Sequence, residues 1–336
     1  MIKLKKLLVF SILLVPIFFT SCSEDDTTEE LVGNWLKRSS FDGPARSSAV
    51  GFVIGNLAYV ATGYTGDVYL NDLWVYNSDG DYWEQKADFI GVKRSSASGF
   101  ELNGKGYVGL GYDGTNRLKD FYEYNPTTNI WTKKADFAGS ARYGAVGFQV
   151  SGKAYFGTGY DGNFLKDFYQ YNATTDTWTL SSGFGGEKRR NATVFVINDK
   201  AYIGTGISNN VLQYDFWEFN GVTEVWTKKR DIDRGTDDDD DDEYNEDYQI
   251  LRANASSFVL NNLGYVACGD NSTSVWQYNP VTDLWTEKTP LEASGRIDAI
   301  AFAVNNRGFV MLGRSGTSYF DNLMEFKPND EQVDND

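Results

Sequence analysis

The 336-residue chain contains no histidine and only two cysteines, Cys22 and Cys268. Without an imidazole there is no histidine base for a serine or cysteine nucleophile, and no histidine-ligated zinc or copper. Helical periodicity is missing as well: no stretch repeats apolar residues at the 3.6-residue interval of an amphipathic helix. Nor does a glycine-rich phosphate motif follow a strand and open a helix, which excludes that route to nucleotide binding. Positive charge is scarce, 31 Lys and Arg against 47 Asp and Glu. Such a surface repels phosphate backbones and excludes nucleic acid as a partner.

What is present begins with "MIKLKKLLVFSILLVPIFFTSC", three lysines and then the apolar run Leu7 to Phe19. The run is too short for a membrane span and reads as a secretory signal over residues 1–21. Its Phe-Thr-Ser-Cys ending resembles a bacterial lipobox, which implies that Cys22 is lipidated as the first mature residue. Residues 22–32, polar and acidic, form a tether. An acidic patch directly behind the cysteine resembles the surface-export signal of Bacteroidota outer-membrane lipoproteins, so a surface-exposed, lipid-anchored protein is expected. Once Lys3, Lys5 and Lys6 leave with the leader, 28 basic residues face 47 acidic ones, a net charge of −19. Cys268 then has no intrachain partner, so the fold rests on its core, which about 315 residues suffice to build.

Residues 33–327 are built from one repeated unit. Aligned on an arginine, the units open at Arg46, Arg94, Arg142, Arg190, Arg252 and Arg296, at spacings of 48, 48, 48, 62 and 44. Each runs through a small and apolar stretch such as "AVGFVI", a Gly-Asn, Asn-Gly or Asn-Asp turn, and a second apolar stretch such as "LAYVATG". A third such as "DFYEYN" and a tryptophan-led fourth such as "IWTKKADF" complete it. Four short strands separated by turn chemistry and repeated six times predict an all-β, six-bladed propeller. The sixth unit stops after "NLMEFKP", while "GNWLKRSSF" at residues 33–41 is a tryptophan strand with no unit before it. The N-terminal strand is therefore expected to complete blade six and remove an open edge. Residues 328–336 are an acidic tail.

The units resemble kelch repeats in the glycine ending the second strand (Gly63, Gly111, Gly159, Gly206, Gly269, Gly313). They also share a third-strand aromatic seven residues before a tryptophan, as in Tyr76/Trp83 and Tyr124/Trp131. They depart from the kelch double glycine, with Thr62, Leu110, Thr158, Thr205, Cys268 and Leu312 at the first position. The resemblance invites comparison with galactose oxidase, whose copper chemistry the absence of histidine removes.

Six tryptophans at one position per blade (Trp35, Trp83, Trp131, Trp178, Trp226, Trp285) read as packing residues. The six arginines stand at the entrance of each innermost strand and would ring one mouth. Arg46, Arg94, Arg142, Arg190, Arg252 and Arg296 are thus candidates for an anionic ligand, since planar guanidinium forks suit carboxylates, sulfates and phosphates. The competing reading pairs each with its blade's own aspartate, Asp72, Asp120, Asp167 or Asp215. Blades five and six have Ser274 and Asn322 there instead. Tyr64, Tyr112 and Tyr160, in the loops after the second strands, are candidates for stacking on sugars or peptide side chains, or else shield loop backbone. The insertion at 231–250 between blades four and five carries Asp237, Asp238, Asp239, Asp240, Asp241 and Asp242. It reads as a solvated loop, with calcium binding and an acidic flap over the mouth as alternatives. No cofactor is implied.

The expectation is a monomeric, noncatalytic binding module for a glycan or protein ligand, anionic in character. A carbohydrate-active enzyme like the six-bladed kelch sialic acid epimerases is one alternative, and a structural partner in an envelope complex is another.

Overall fold

The computed structural model describes residues 32–181, 183–232 and 248–333. Cys22, the leader, the tether up to residue 31 and the run Asp237 to Asp242 lie outside the described residues. No helix occurs among those described, and the strands form six four-stranded antiparallel sheets with two small hairpins.

Blade two shows how the sequence makes the unit. Its first strand, Ser98–Leu102, alternates buried and half-buried residues. Asn103 and Gly104, with φ of 55° and 74°, then turn the chain as a hairpin of the primed type requires. Lys105–Gly109 returns almost wholly buried, Phe121–Asn125 follows, and Ile130–Lys134 is an outer edge with only its tryptophan buried. The innermost strands of successive blades, beginning Val50, Ser98, Val146, Thr193, Ser256 and Ile300, pack side by side, with blade six against blade one.

Closure follows the expected route. The strand Asn34–Arg38 lies antiparallel to Leu323–Lys327, placing Trp35 opposite Phe326. Glu325, on the inner of these two strands, is fully buried and joins Arg38 of the closing strand to Arg307 and Lys327. One carboxylate thereby ties three strands of the blade where the two ends of the chain meet.

Apolar clusters fill the spaces between blades, for example Val50, Phe52 and Tyr59 of blade one against Tyr122, Tyr124 and Trp131 of blade two. The tryptophans do two things there. Their rings pack edge-on against phenylalanines, as Trp131 does on Phe89 at 5.0 Å. In four blades the indole N–H also donates to a carbonyl of the preceding blade, Trp35 to Thr289, Trp83 to Ser39, Trp131 to Ala87 and Trp178 to Ala135, whereas the indole N–H groups of Trp226 and Trp285 are buried without an acceptor among the described residues. A phenylalanine would supply the first contact and not the second.

The departure from the double glycine is carried as backbone strain. Thr62, Leu110, Thr158, Thr205, Cys268 and Leu312 all hold φ of 58–62°, a region that costs a side chain on the order of 1 kcal/mol. The following glycine donates its N–H to the arginine carbonyl of the next blade in all six cases. These six inter-blade bonds fix the strained turn in place.

Candidate functional site

Those arginines are not the solvent-facing ring that the sequence suggests. The side chains of Arg46, Arg94, Arg142 and Arg296 are fully buried, and Arg252 is nearly so. Each donates through Nε to the carbonyl two residues back and through Nη1 to the carbonyl sixteen residues on. In blades one to three both terminal nitrogens meet the blade's aspartate: Arg46 with Asp72 at 2.6 and 2.6 Å, Arg94 with Asp120 at 2.6 and 2.7 Å, Arg142 with Asp167 at 2.5 and 2.9 Å. Phe41, Phe89 and Phe137 cover them at 4.8–5.0 Å. The guanidinium group staples the second-strand turn to the start of its blade, and its charge is consumed there.

In blade four the equivalent residue is Arg189 and not Arg190. Arg189 is the one buried, stacked on Phe184 and bonded to Asp215. The loop "GYDGNFLKD" of blade three is one residue shorter than "GYDGTNRLKD" of blade two, so counting by 48 lands one residue late.

Two residues beyond each arginine the chain reaches the channel mouth at Ser48, Ser96, Gly144, Asn191, Asn254 and Asp298. All six have φ of 50–63°. The backbone N–H of each donates to the carbonyl of the one before it at 2.8–3.2 Å, and Ser48 donates to Asp298, so the hydrogen bonds form a closed ring. With the alanines that follow, these residues line a cavity of about 160 Å³. Burial pushes the Asp298 carboxyl above its usual range, opposed by Arg314 at 3.9 Å, a hydrogen bond from Ser48 and the charge of Arg190, and reinforced by Asp270.

Around the mouth runs an aromatic belt. Tyr64, Tyr112 and Tyr160 lie in the loops as expected and bridge to Ser47, Ser95 and Tyr143. Ring centroids follow one another from Tyr319 to Tyr64 (6.3 Å), Tyr69 (4.6 Å), Tyr112 (6.3 Å), Tyr143 (5.7 Å), Tyr160 (5.7 Å) and Phe164 (5.1 Å). Arg190 finds its place here, over Tyr143, Tyr160 and Phe164 at 5.3–5.7 Å, and Arg117 covers Tyr160 at 5.2 Å. Both loop-shielding and presentation are at work, because Tyr64 and Tyr112 donate their hydroxyls to the carbonyls of Gly66 and Gly114 while the rings stay partly exposed. Glycine is required at both positions: a Cβ would stand 2.8 Å from the Tyr319 ring at Gly66 and 2.7 Å from the Tyr69 ring at Gly114.

Tyr69, Tyr143, Phe164, Tyr319, Arg117 and Arg314 escape a reading by repeat, since these loop positions change from blade to blade: Tyr69, Arg117, Phe164 and Tyr319 pair with the residue after the second-strand glycine in blades one, two, three and six. Their signal lies in the loop hairpins, where Tyr64 bridges Tyr69 and Tyr160 bridges Phe164. The belt stops at blades four and five, where Ile207, Leu212 and Asp270 take the corresponding loop positions.

Outside the belt a groove of about 630 Å³ opens between blades one and two, lined by Val68, Tyr69, Val92, Lys93, Asp113 and Asn116 among others. Val68 and Val92 are half exposed. The backbone N–H groups of Asn116 and Thr115 hold the Asp113 carboxyl below its ordinary range, so one wall keeps a fixed negative charge. Among the described residues no group of acidic or cysteine side chains is arranged to hold a metal ion.

A family model described as the Kelch motif matches residues 45–89 and 111–137. A search of the curated proteins gives no match. Among solved structures the chain is similar to one titled "Structure of YjhT", at 18% identity and a TM-score of 0.69, covering 85% of this chain and 95% of that one. At that identity the likeness speaks for the six-bladed propeller and no further.

Proposed function

We propose that the protein is a noncatalytic binding module, held by a lipid on Cys22 at the cell surface, whose glycan or protein ligand lies on the aromatic rim. One observation carries this reading: the unbroken belt of seven rings from Tyr319 to Phe164, with Arg117 and Arg190 stacked on it. Aromatic faces beside guanidinium groups suit sugar rings bearing a carboxylate, and acidic peptide side chains. The buried arginine staples take no part. The groove beside Tyr69 extends the same surface and has the volume of a small-ligand site.

The test is a screen of acidic and neutral oligosaccharides and acidic peptides, followed by calorimetry with wild type and Tyr69→Ala. Saturable binding that weakens tenfold or more in the variant is expected; binding unchanged by the variant overturns the assignment to this rim. A second reading, a carbohydrate-active enzyme, is favoured by the Asp298 carboxyl at the channel mouth, whose raised proton affinity suits acid catalysis. Turnover of a bound sugar that is lost in Asp298→Asn would establish it in place of the first.

A further inference from the structure

We infer that blade six binds a small monovalent anion, a halide or the carboxylate of a small acid, between Arg296 and Asn322. In blades one to three the guanidinium faces a carboxylate through two parallel bonds, and Asn322 stands at the same separation from Arg296, 26 residues, as Asp72 from Arg46 and Asp120 from Arg94. Its Oδ1 accepts from Arg296 Nη1 at 2.9 Å, as the aspartate Oδ1 does in those blades. The amide offers Nδ2 where an aspartate would offer its second carboxylate oxygen. Nδ2 is a donor.

Arg296 Nη2, which that second oxygen would have served, is buried and has no acceptor. Nη2 and Nδ2 are thus two donors without the acceptor that the aspartate blades supply, and one of them is charged. The rest of the guanidinium is already placed, with Nε on the Ser294 carbonyl, Nη1 also on the Leu312 carbonyl, and the Phe320 ring 4.5 Å from the guanidinium carbon. Cys268 does not neutralise it, because burial keeps that thiol protonated.

Blade five is different in this respect. Arg252 also lacks an aspartate, yet its Nη2 donates to Ser274 Oγ at 2.7 Å and to the Gln249 carbonyl at 2.6 Å. Only blade six is left with a bare arm of the buried cation.

Arg296 Nη2 is itself buried, and it is the side chain at the carboxylate position that is in contact with solvent. The aspartates that occupy that position in blades one to four keep 11–31% of their side chains exposed, and Asn322 is likewise partly exposed. A buried charge without a partner is costly, so an anion that fits is held by charge-assisted bonds and stabilises the fold by mass action.

The mature protein is melted in sodium chloride and in sodium formate, each at constant ionic strength made up with sodium methanesulfonate, and crystals are soaked in bromide. The expected result is a rise of about 2–4 °C as the probe saturates the site, with a bromide peak beside Arg296 Nη2. Comparison of the two salts separates a halide site from a carboxylate site. Asn322→Asp restores the arrangement of blades one to three, so it melts higher without added anion and loses the response. An equal response in wild type and Asn322→Asp overturns the proposal, as does a position filled by water alone.

Discussion

Blades one to four and blades five and six solve one problem with different chemistry. All six bury an arginine to hold the turn after the second strand, yet only the first four supply a carboxylate to neutralise it. In those four, a tryptophan or tyrosine two residues after the aspartate adds a further donor in three cases: Trp74, Tyr122 and Trp217. Blade five replaces the carboxylate with Ser274 and blade six with Asn322. The staple's geometry, Nε and Nη1 on fixed carbonyls, is the same in both groups. It is therefore the carbonyl bonds that every blade needs, and the ion pair that two blades forgo.

If that division is right, removing the acid from the first group costs far more than removing its substitute from the second. Asp120→Ala leaves Arg94 buried without a counter-charge and is expected to lose about 3–5 kcal/mol. Ser274→Ala removes one hydrogen bond to a charged group and is expected to lose about 1.5–3 kcal/mol. Urea melts of the two variants give both figures, and equal losses would break the comparison.

Blade six has an acid elsewhere, and it works by a different pairing. Burial opposes ionisation of Glu325, but hydrogen bonds from Arg307, Lys327 and Arg38 hold its carboxyl down at about 2. A carboxyl depressed in the folded state contributes stability above its unfolded value, near 4.3, and loses it as pH falls toward the folded one. The contribution is on the order of 3 kcal/mol. The difference in melting temperature between wild type and Glu325→Gln should therefore be constant above pH 6 and shrink steadily between pH 4.5 and 2. A difference that does not change with pH would remove Glu325 from the closure of the ring.

The blade count, the closing strand and the tryptophan seams are all legible in the sequence because repetition writes them several times over. One recurrence of "LKDFYEYNPTTNIWTKKADF" as "LKDFYQYNATTDTWTLSSGF" marks third strand, turn and fourth strand at once. The site is less legible for the same reason. Arginine, repeated six times, looks like a ring of ligands, but a residue present in every unit meets a need that every unit shares. A one-residue deletion in a loop is invisible to a fixed period, so Arg190 is counted among the repeated arginines in place of Arg189, although it lies on the aromatic rim. The belt itself depends on which loop folds over its neighbour, as Tyr319 does over Gly66, and that contact joins residues more than 250 positions apart.

Ser274→Asp asks whether blade five can be returned to the first group. Trp276 lies opposite Val266 as Trp74 lies opposite Val60 and Trp217 opposite Ile203, so all three indoles occupy one position of the blade. Trp74 and Trp217 donate to the aspartate Oδ2 at 2.7 and 2.8 Å, whereas Trp276 Nε1 is buried with no acceptor. A carboxylate at 274 reaches both that indole and Arg252, at the expense of the hydrogen bond from Ser272 to Ser274. The gain from satisfying a buried donor and a buried cation exceeds one neutral bond, so a net stabilisation of about 1–2 kcal/mol is expected. Placing the same change in a Trp276→Phe background isolates the indole's share, because the coupling between the two sites is what remains after each single effect is subtracted. A positive coupling of about 0.5–1 kcal/mol fits a shared carboxylate, and a coupling of zero with lower stability would mean that blade five has repacked around serine and no longer has room for the acid.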